Sequence, residues 1–189
     1  MNVSCRKMRA EDFPEAVVIA QKSINDTDAA FYDYIKAMTE SLGNGTEGVV
    51  AEADGHIAGV MYFISGIHLS GGRTDFIEEI NKELNGAGIY SCSIVAVDPR
   101  YRGLKISKKL HECAFEILRE QNIRHILVEI WIRPDGYMPG FNCIHYAPSF
   151  TDYGDIPNYY AEAPEAEGHI CSVCGEDCHC AAKIAVMHI

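Results

Sequence analysis

The spacing of hydrophobic positions changes several times along the chain, and each change predicts a new secondary-structure element. After Asp12, apolar residues recur at helical spacing, and a second helical pattern covers residues 29–42 before a Gly-Asn-Gly sequence ends it. Residues 48–67, GVVAEADGHIAGVMYFISGI, hold two apolar runs around Asp54-Gly55. Two such runs joined by Asp-Gly are typical of a β-hairpin.

The middle of the chain alternates between strand and helix patterns. Residues 68–88 read as an insertion that contains a short amphipathic helix at 76–84. A predicted strand at 89–97 is followed by the clearest helix of the chain at 107–121 and by a buried strand at 125–132. Strand, helix and strand in this order predict a parallel βαβ unit. The expected fold class is therefore mixed α+β (α/β).

The last third of the chain has a weaker pattern. Beyond Pro134, the residues Gly, Pro, Asn and Tyr dominate until 181–189, which is predicted as a closing strand. A chain of 189 residues is long enough for one domain with a substantial core and short for two. We therefore expect a single domain over residues 1–189.

The charge of the chain excludes some partners. Its formal net charge of −11 argues against a nucleic-acid partner and fits poorly with an anionic membrane surface. No sequence approaches the roughly 18 consecutive apolar residues that a membrane span needs. The N-terminal sequence lacks the apolar core of a secretion signal, so we expect a cytoplasmic location.

One basic stretch stands out in this acidic chain. VDPRYRGLKISKKL, residues 97–110, joins a predicted strand to the clearest helix. A helix that begins here directs its first amides and the positive end of its dipole at one spot, which suits a phosphate. The alternative is a solvated basic turn of a surface helix, although such a turn opposes the helix dipole. The cations around the spot are Arg102, Lys105, Lys108 and Lys109.

This stretch resembles the signature of the GNAT superfamily of N-acyltransferases, V-x-P-x-x-R-G-x-G-x-G/A. Lys105 stands where the pattern has glycine, and Ser107 stands where it has Gly or Ala; each adds a Cβ near the phosphates, and Lys105 can supply charge in return. The hairpin AEADGHIAGVMYF and the N-terminal CRKMRAEDFPEAVVIA are also similar to family elements, so the resemblance covers residues 3–132 in order. The residues that match the signature are Val97, Pro99, Arg102 and Gly103.

The resemblance implies a fold and an activity. The fold is a mixed, mostly antiparallel sheet with a central parallel βαβ unit and a splayed cleft for acyl-CoA. The activity is N-acyl transfer from acetyl-CoA to a primary amine of a small-molecule or peptide acceptor, by a monomer or a homodimer. The residues implied in acetyl-CoA binding are Val95, Ala96 and Val97 for pantetheine and Arg102, Gly103, Leu104, Lys105, Ile106, Ser107 and Lys108 for the phosphates.

Two other functions stay open at this point. A non-catalytic CoA-binding relative of the same fold is favoured by the departures at Lys105 and Ser107. A metal or redox sensor of that fold is favoured by the density of thiols near the C-terminal end. The acceptor amine itself cannot be deduced, because the residues that shape its pocket fall in the least periodic segments.

An amine that attacks a thioester needs a base for the ammonium proton and an acid for the leaving thiolate. Glu129 is the only acidic residue in either central strand, which makes it the candidate base; the alternative is a salt-bridged surface glutamate. The family acid is a tyrosine before a Gly-Phe pair, and Tyr146 precedes the similar SFTDYGDI. Its alternatives are a merely aromatic lining or the substitutes Tyr153, Tyr159 and Tyr160.

Four thiols are concentrated in CSVCGEDCHC, residues 171–180. Four sulfurs at this spacing suit tetrahedral zinc, with iron as the less favoured metal, and unligated thiols or a disulfide as the alternative. A site closed by four thiolates is structural. We expect a metal knuckle at 168–182, between the family's last two strands, with the ligands Cys171, Cys174, Cys178 and Cys180. The scattered Cys92 and Cys113 are expected in the core.

Overall fold

The computed structural model describes residues 2–24, 29–70, 74–161, 171–175 and 177–189. Within these ranges the predicted strands and helices occur in the predicted order, and one further strand follows residue 148. The strands are β1 (Val3–Lys7), β2 (Thr46–Ala53), β3 (His56–Ser65), β4 (Ile89–Val97), β5 (His125–Ile132), β6 (Ser149–Ile156) and β7 (Ala181–His188). The α-helices are α1 (Phe13–Ile24), α2 (Ala29–Glu40), α3 (Thr74–Leu84) and α4 (Ile106–Glu120).

The seven strands form one sheet in the order β1-β2-β3-β4-β5-β7-β6. The pair β4 and β5 is parallel and is connected by α4, whereas β1 with β2, β2 with β3, β5 with β7 and β6 with β7 pair antiparallel. The predicted fold class, a mostly antiparallel sheet with a central parallel βαβ unit, is confirmed.

The described chain divides into two compact units. The first unit runs to Ser65 and resumes at Cys92–Gln121, and the second comprises Gly66–Ser91 and Asn122–Ile189. The prediction of a single domain stays a prediction. No helix in the described ranges has the length and apolarity that a membrane crossing requires.

The core of the first unit lies between its strands and the helices α1 and α2. Asp54 and Gly55 both have positive φ, 52° and 80°, which is the conformation of a type I′ turn and matches the twist of the β2–β3 hairpin. The predicted hairpin is therefore confirmed. The core residues are Met8, Ala16, Val17, Ile19, Ala20, Ile35, Met38, Val50, Ile57, Val60, Tyr62, Ile94 and Ala96.

The second unit has its own core on one face of the β5–β7–β6 strands. The helix α3 packs against this core with Phe76, Ile80 and Leu84, which are spaced four residues apart and so lie on one side of the helix. The same core holds Tyr159, whose ring is buried at 2% exposure. Its strand residues are Ile89, Leu127, Ile156, Ala182, Ile184 and Val186.

The structure corrects the sequence analysis at a few places. The strand β6 has no predicted counterpart in the periodicity, because only Ile156 of its eight residues is buried. Cys92 and Cys113 are only partly buried, so the expectation that they are core residues is wrong. Cys178 and Cys180, expected on an extended strand, precede β7 and are not part of it.

Candidate functional site

The turn after β4 is held in place by Asp98. Its carboxylate accepts hydrogen bonds from the Arg100 backbone N–H at 2.9 Å and from the Arg100 guanidinium at 2.7 Å, and these bonds lower the pKa of Asp98 although burial opposes them. The Asp98 amide also donates to the carbonyl of Ala58 on β3 at 2.9 Å. The 3-10 helix Pro99–Tyr101 that follows is therefore fixed against the sheet of the first unit.

Two residues with positive φ lead the chain into α4. Gly103 has φ 82°, and a Cβ built on it would meet no atom within 4 Å, so glycine is needed there for backbone conformation and not for space. Lys105 is the N-cap residue with φ 58° and ψ 27°, a left-handed conformation that costs an L-residue about 1–2 kcal/mol. The family signature has glycine at this position, and the geometry gives the physical reason.

The first turn of α4 presents backbone N–H groups that have no intrahelical acceptor. It contains no acidic residue, and the side chains of Arg102 and Lys105 just before it are exposed. Two of the predicted cations are engaged elsewhere: Lys108 pairs with Glu112 at 3.6 Å, and Lys109 donates to the carbonyl of Val3 at 3.1 Å. The described geometry suits an anion at the amides, with Arg102 and Lys105 as the available charges.

The predicted pantetheine-binding residues lie at the end of β4. Ala96 is buried in the first unit's core, while Val95 and Val97 on the opposite face of the strand are partly exposed. The Val97 carbonyl accepts a hydrogen bond from the Ser23 hydroxyl of α1 at 3.0 Å. The exposed face at Val95 and Val97 leads directly into the loop at Arg102.

Glu129 lies on β5 under a set of hydrogen-bond donors. Its Oε1 accepts from the Ser70 hydroxyl at 2.9 Å, and its Oε2 accepts from the Ser70 amide at 3.0 Å and from the Tyr159 hydroxyl at 2.8 Å. Tyr160 also donates to this carboxylate, and burial together with the Glu129 charge raises the pKa of Tyr160. All these residues belong to the second unit.

The candidate acids are distributed over the same unit. Tyr146 ends the 3-10 helix Phe141–Tyr146 and is partly buried. Tyr153 donates a short hydrogen bond to Glu83 of α3, and burial and this carboxylate raise the pKa of its phenol. Tyr153 is therefore engaged with α3, whereas Tyr159 and Tyr160 are engaged with Glu129.

Sequence reasoning missed the partners of Glu129. Ser70 is 59 residues from Glu129 along the chain, and Tyr159 is 30 residues away. No local motif signals either contact. The pair Tyr159-Tyr160 in an otherwise irregular segment was the one available signal, since adjacent buried tyrosines need acceptors for their hydroxyl groups.

The four predicted thiols converge. The sulfur ligand atoms of Cys171, Cys174, Cys178 and Cys180 all lie within 4.8 Å of one another. The Sγ atoms of Cys174 and Cys180 are 3.4 Å apart, and those of Cys171 and Cys180 are 3.8 Å apart. A zinc ion with four bonds of about 2.3 Å separates its sulfurs by about 3.8 Å, so the cage has the size of a tetrathiolate zinc site.

A tight turn directs the first two thiols. The amide of Gly175 donates to the Cys171 carbonyl at 2.9 Å, the amide of Cys171 donates back to Gly175 at 3.0 Å, and Gly175 has φ 77°. Burial raises the pKa of the Cys171 thiol, but amide donors from Cys174 and Val173 outweigh it and leave that pKa below its usual value. The predicted residues 168–170 and 176 of the knuckle lie outside the described residues.

Cys180 of the thiol cluster interacts with two aromatic residues near Glu129. The Trp131 indole donates to Cys180, whose pKa is raised by burial. Burial raises the pKa of Tyr160, and the charges of Glu129 and Cys180 raise it further. Along the chain, the cluster lies between β6 and β7. A group that fixes the position of Cys180 therefore also affects Trp131 and Tyr160, the neighbours of Glu129.

Comparisons with known proteins bear on both the fold and the family. YncA of Salmonella typhimurium, solved with its cofactor acetyl-CoA, has a TM-score of 0.65 at 13% identity, covering 98% of this chain and 93% of that chain. The ribosomal-protein-S18-alanine N-acetyltransferase of Escherichia coli has a TM-score of 0.63 at 16% identity, covering 100% and 94%. A GNAT-family protein of Desulfovibrio desulfuricans has a TM-score of 0.63 at 15% identity, covering 99% of both chains.

These likenesses show the fold, and a family model shows the family. A search of curated protein sequences finds no match. The model described as Acetyltransferase (GNAT) family matches residues 4–137, which include the hairpin, the loop at Arg102 and the strand with Glu129. The chain therefore belongs to the GNAT acetyltransferase family.

Proposed function

We propose that the protein is an N-acetyltransferase that transfers the acetyl group of acetyl-CoA to a primary amine. The observation that carries the proposal is the loop before α4, where left-handed residues, free helix amides and exposed cations form an anion site within a chain of formal charge −11. A diphosphate is the ligand that such a site suits. Family membership supports acetyl-CoA as the molecule that carries it.

The binding residues of the proposal are those of the sequence analysis. The strand residues Val95, Ala96 and Val97 offer backbone groups to the pantetheine. The segment from Arg102 through Lys108 offers the amides and charge that bind the pyrophosphate, and Lys105 contributes a cation where the family has glycine.

The proposed chemistry is direct attack. Glu129 accepts a proton from the acceptor ammonium, and the free amine then forms a C–N bond with the thioester carbonyl carbon. The C–S bond breaks, and Tyr146 donates its phenolic proton to the leaving thiolate of CoA. Glu129 accepts two bonds from Ser70 and one each from Tyr159 and Tyr160, which occupy its four lone-pair sites. It can therefore act as a base only by exchanging one of these donors for the acceptor ammonium.

A thermal-shift and transfer experiment tests the proposal. Acetyl-CoA at saturation is expected to raise the melting temperature, since it binds the native state. Arg102→Glu is expected to reduce that shift, whereas Arg119→Glu, the same charge reversal at the far end of α4, is expected to retain it. CoA release measured over a panel of amines then tests transfer. Absence of any thermal shift together with normal transfer by the Arg102→Glu variant would overturn the proposal.

A second proposal concerns the thiol cluster. We infer that Cys171, Cys174, Cys178 and Cys180 bind one structural zinc ion. Support comes from four sulfurs within 4.8 Å of one another, two pairs of them 3.4 and 3.8 Å apart, and from the four thiolates that would fill a tetrahedral shell. Such a shell leaves no position for water or substrate. The ion would hold the loop between β6 and β7 and take no part in acetyl transfer.

A non-catalytic CoA-binding role is the second candidate function. The left-handed conformation of Lys105 favours it, because a side chain occupies a position where the family keeps glycine. An acetyl-CoA-dependent thermal shift without transfer to any amine of a broad panel would support this role over catalysis.

A further inference from the structure

A short turn after β5 holds an arginine against two aromatic rings. The Arg133 amide donates to the Tyr137 carbonyl at 2.9 Å, and the Gly136 amide donates to the Arg133 carbonyl at 2.8 Å, so the sequence RPDGY folds back on itself. The guanidinium carbon of Arg133 lies 4.7 Å from the Trp131 ring centroid and 5.1 Å from that of Tyr137. Both distances are in the range of cation–π attraction.

Among the described residues, this guanidinium has no anionic partner. Its Nε is buried and makes no hydrogen bond, and in the described ranges the Arg133 side chain forms no ion pair with any carboxylate. The nearby Asp135 carboxylate accepts from the Tyr137 amide at 3.0 Å. A buried donor without an acceptor destabilises the fold, and a missing partner is unexpected in a chain that has 27 acidic and only 16 basic residues.

The arginine continues the face of β5 that carries the proposed base. Glu129 and Trp131 are two residues apart on the strand, so their side chains point to the same face. Arg133 follows two residues later and contacts the Trp131 ring, which places it on that side as well. Tyr137, which lies beside Arg133, is 58% exposed, so a ligand can reach the guanidinium end of this face.

We propose that Arg133, Trp131 and Tyr137 form a carboxylate-binding site for the acceptor, so that the acceptor is an amine that also carries a carboxylate, such as an amino acid or a peptide. The proposal rests on the proposed N-acetyltransferase function. The guanidinium binds the carboxylate with two parallel N–H···O bonds, and the rings hold the planar pair from the side. The amine of the same molecule faces Glu129 further along β5.

A carboxylate fits this site better than a phosphate. A carboxylate is planar and can lie in the plane of the guanidinium against the two rings, whereas a tetrahedral phosphate projects oxygens toward them. The phosphates of acetyl-CoA also have their own candidate site at the amides before α4. A phosphate of CoA at Arg133 is nevertheless an outcome that the experiment separates.

Trp131 makes the site directly observable, because it is the only tryptophan of the chain. Hexanoate and its neutral amide, hexanamide, are titrated against the zinc-loaded protein while Trp131 fluorescence is followed. Hexanoate is expected to bind at least about 10-fold more tightly than hexanamide, and Arg133→Gln is expected to abolish the difference. Equal binding of both compounds, or a preference that survives in Arg133→Gln, overturns the proposal.

Kinetics then place the carboxylate on the acceptor. Amino acids of increasing length are compared with the matched alkylamines, and Arg133→Gln is expected to raise the KM of the amino acids by about 10- to 100-fold while leaving the KM of acetyl-CoA unchanged. A rise in the acetyl-CoA KM alone assigns Arg133 to a CoA phosphate and rejects the carboxylate site. Zinc content and melting temperature of the variant control for a purely structural arginine: loss of zinc with unaltered carboxylate preference also rejects it.

The experiments distinguish failure of the carboxylate-site proposal from failure of the proposed N-acetyltransferase function. Hexanoate binding at Trp131 without acetyl transfer to any amine would leave a carboxylate site on a protein that is not an N-acetyltransferase. Transfer to simple alkylamines without any preference for amino acids would keep the proposed function and reject the carboxylate site.

Discussion

A single histidine on α4 links the stability of the first unit to pH. His111 is fully buried, and its Nδ1 lies 2.7 Å from the Ser107 carbonyl, to which it donates in the neutral tautomer. Burial lowers the pKa of His111 to about 4, although the Ser107 carbonyl opposes this shift. The proton that the unfolded chain takes up near pH 6.5 is therefore not taken up by the folded chain until about pH 4.

This difference predicts a loss of stability at acid pH. The contribution of His111 is complete above pH 6.5 and declines as pH falls toward about 4, by about 1.4 kcal/mol per pH unit. Denaturant unfolding between pH 7 and 4.5 is expected to show a smaller slope in His111→Asn, in which an amide can still donate to Ser107. His125, whose pKa burial and His188 also lower, contributes equally to both proteins, so the comparison isolates His111. Parallel pH profiles of the two proteins would contradict this prediction.

Glu129 can be tested against its hydrogen-bond partners. Glu129→Gln keeps an acceptor oxygen for Ser70 and Tyr159 but cannot take up a proton at neutral pH, so kcat is expected to fall by about 100-fold. Ser70→Ala keeps the carboxylate and removes one donor, so its kcat is expected to stay within a few-fold of the wild type. Steady-state assays of both variants separate the roles, and an unchanged kcat in Glu129→Gln would make Glu129 a structural carboxylate.

At the level of elements, the close approach of α4 to β3 depends on Gly59. A Cβ on Gly59 would lie 2.8 Å from Cγ2 of Ile106, 3.1 Å from Cδ1 of Leu110 and 3.1 Å from the Ala96 carbonyl oxygen. Gly59 is the second glycine of the hairpin sequence AEADGHIAGVMYF, which resembles a family element. Glycine at this position therefore meets a packing constraint between β3 and α4, the helix that begins at the proposed anion site.

Gly59→Ala is expected to displace the start of α4. Overpacking of this kind costs about 1–3 kcal/mol, and the displaced helix is expected to bind acetyl-CoA less tightly, as the thermal shift reports. Gly86→Ala, at a glycine of the second unit whose Cβ would meet no atom within 4 Å but whose φ is 83°, provides a control for a glycine kept by conformation alone. Its unfolding free energy is expected to fall without any change in the acetyl-CoA shift.

The accuracy with which each element was predicted depended on how clear its local hydrophobic pattern is. The strands at 89–97 and 125–132 were predicted at their observed bounds, because apolar runs between turn signals define both ends. The helix predicted at 107–121 is displaced by one residue, since the left-handed Lys105 acts as the N-cap. The strand β6 was not predicted because it is an edge strand in which only Ile156 is buried, which leaves no hydrophobic alternation to detect.

At the level of the whole molecule, contiguous sites were predictable and assembled ones were not. The loop at Arg102 and the thiol cluster each occupy about ten neighbouring residues, so their spacing alone carries the chemistry. Two donors to Glu129 are distant in sequence: Ser70 is separated from it by 59 positions and Tyr159 by 30. Only the folding of the second unit brings these side chains together. The interaction of Arg133 with Tyr137 depends on a turn whose geometry the sequence suggests only through Pro-Asp-Gly.

The zinc proposal predicts different responses of the two units to a chelator. Metal binding is coupled to the folding of the loop that supplies the ligands, so chelation is expected to loosen the segment from residue 134 onward. The first unit contributes no ligand to the cluster. Amide hydrogen exchange is therefore expected to rise in β6 and β7 and to stay unchanged in β2 and β3.

Removal of the zinc ion is likewise expected to impair acetyl transfer and to spare acetyl-CoA binding. Loss of the ion frees Cys180, which accepts a hydrogen bond from Trp131 and acts electrostatically on Tyr160, and so disturbs the neighbours of Glu129. Acetyl transfer is then expected to fall while the acetyl-CoA thermal shift persists. Cys174→Ser is expected to reproduce the effect of the chelator, and Cys113→Ser, which changes a thiol of the first unit, is expected to keep one zinc ion per chain. A metal-free protein of full activity and unchanged exchange would make the four thiols irrelevant to the fold. A zinc ion bound with an open coordination position would contradict the structural role and support catalysis or sensing at this site.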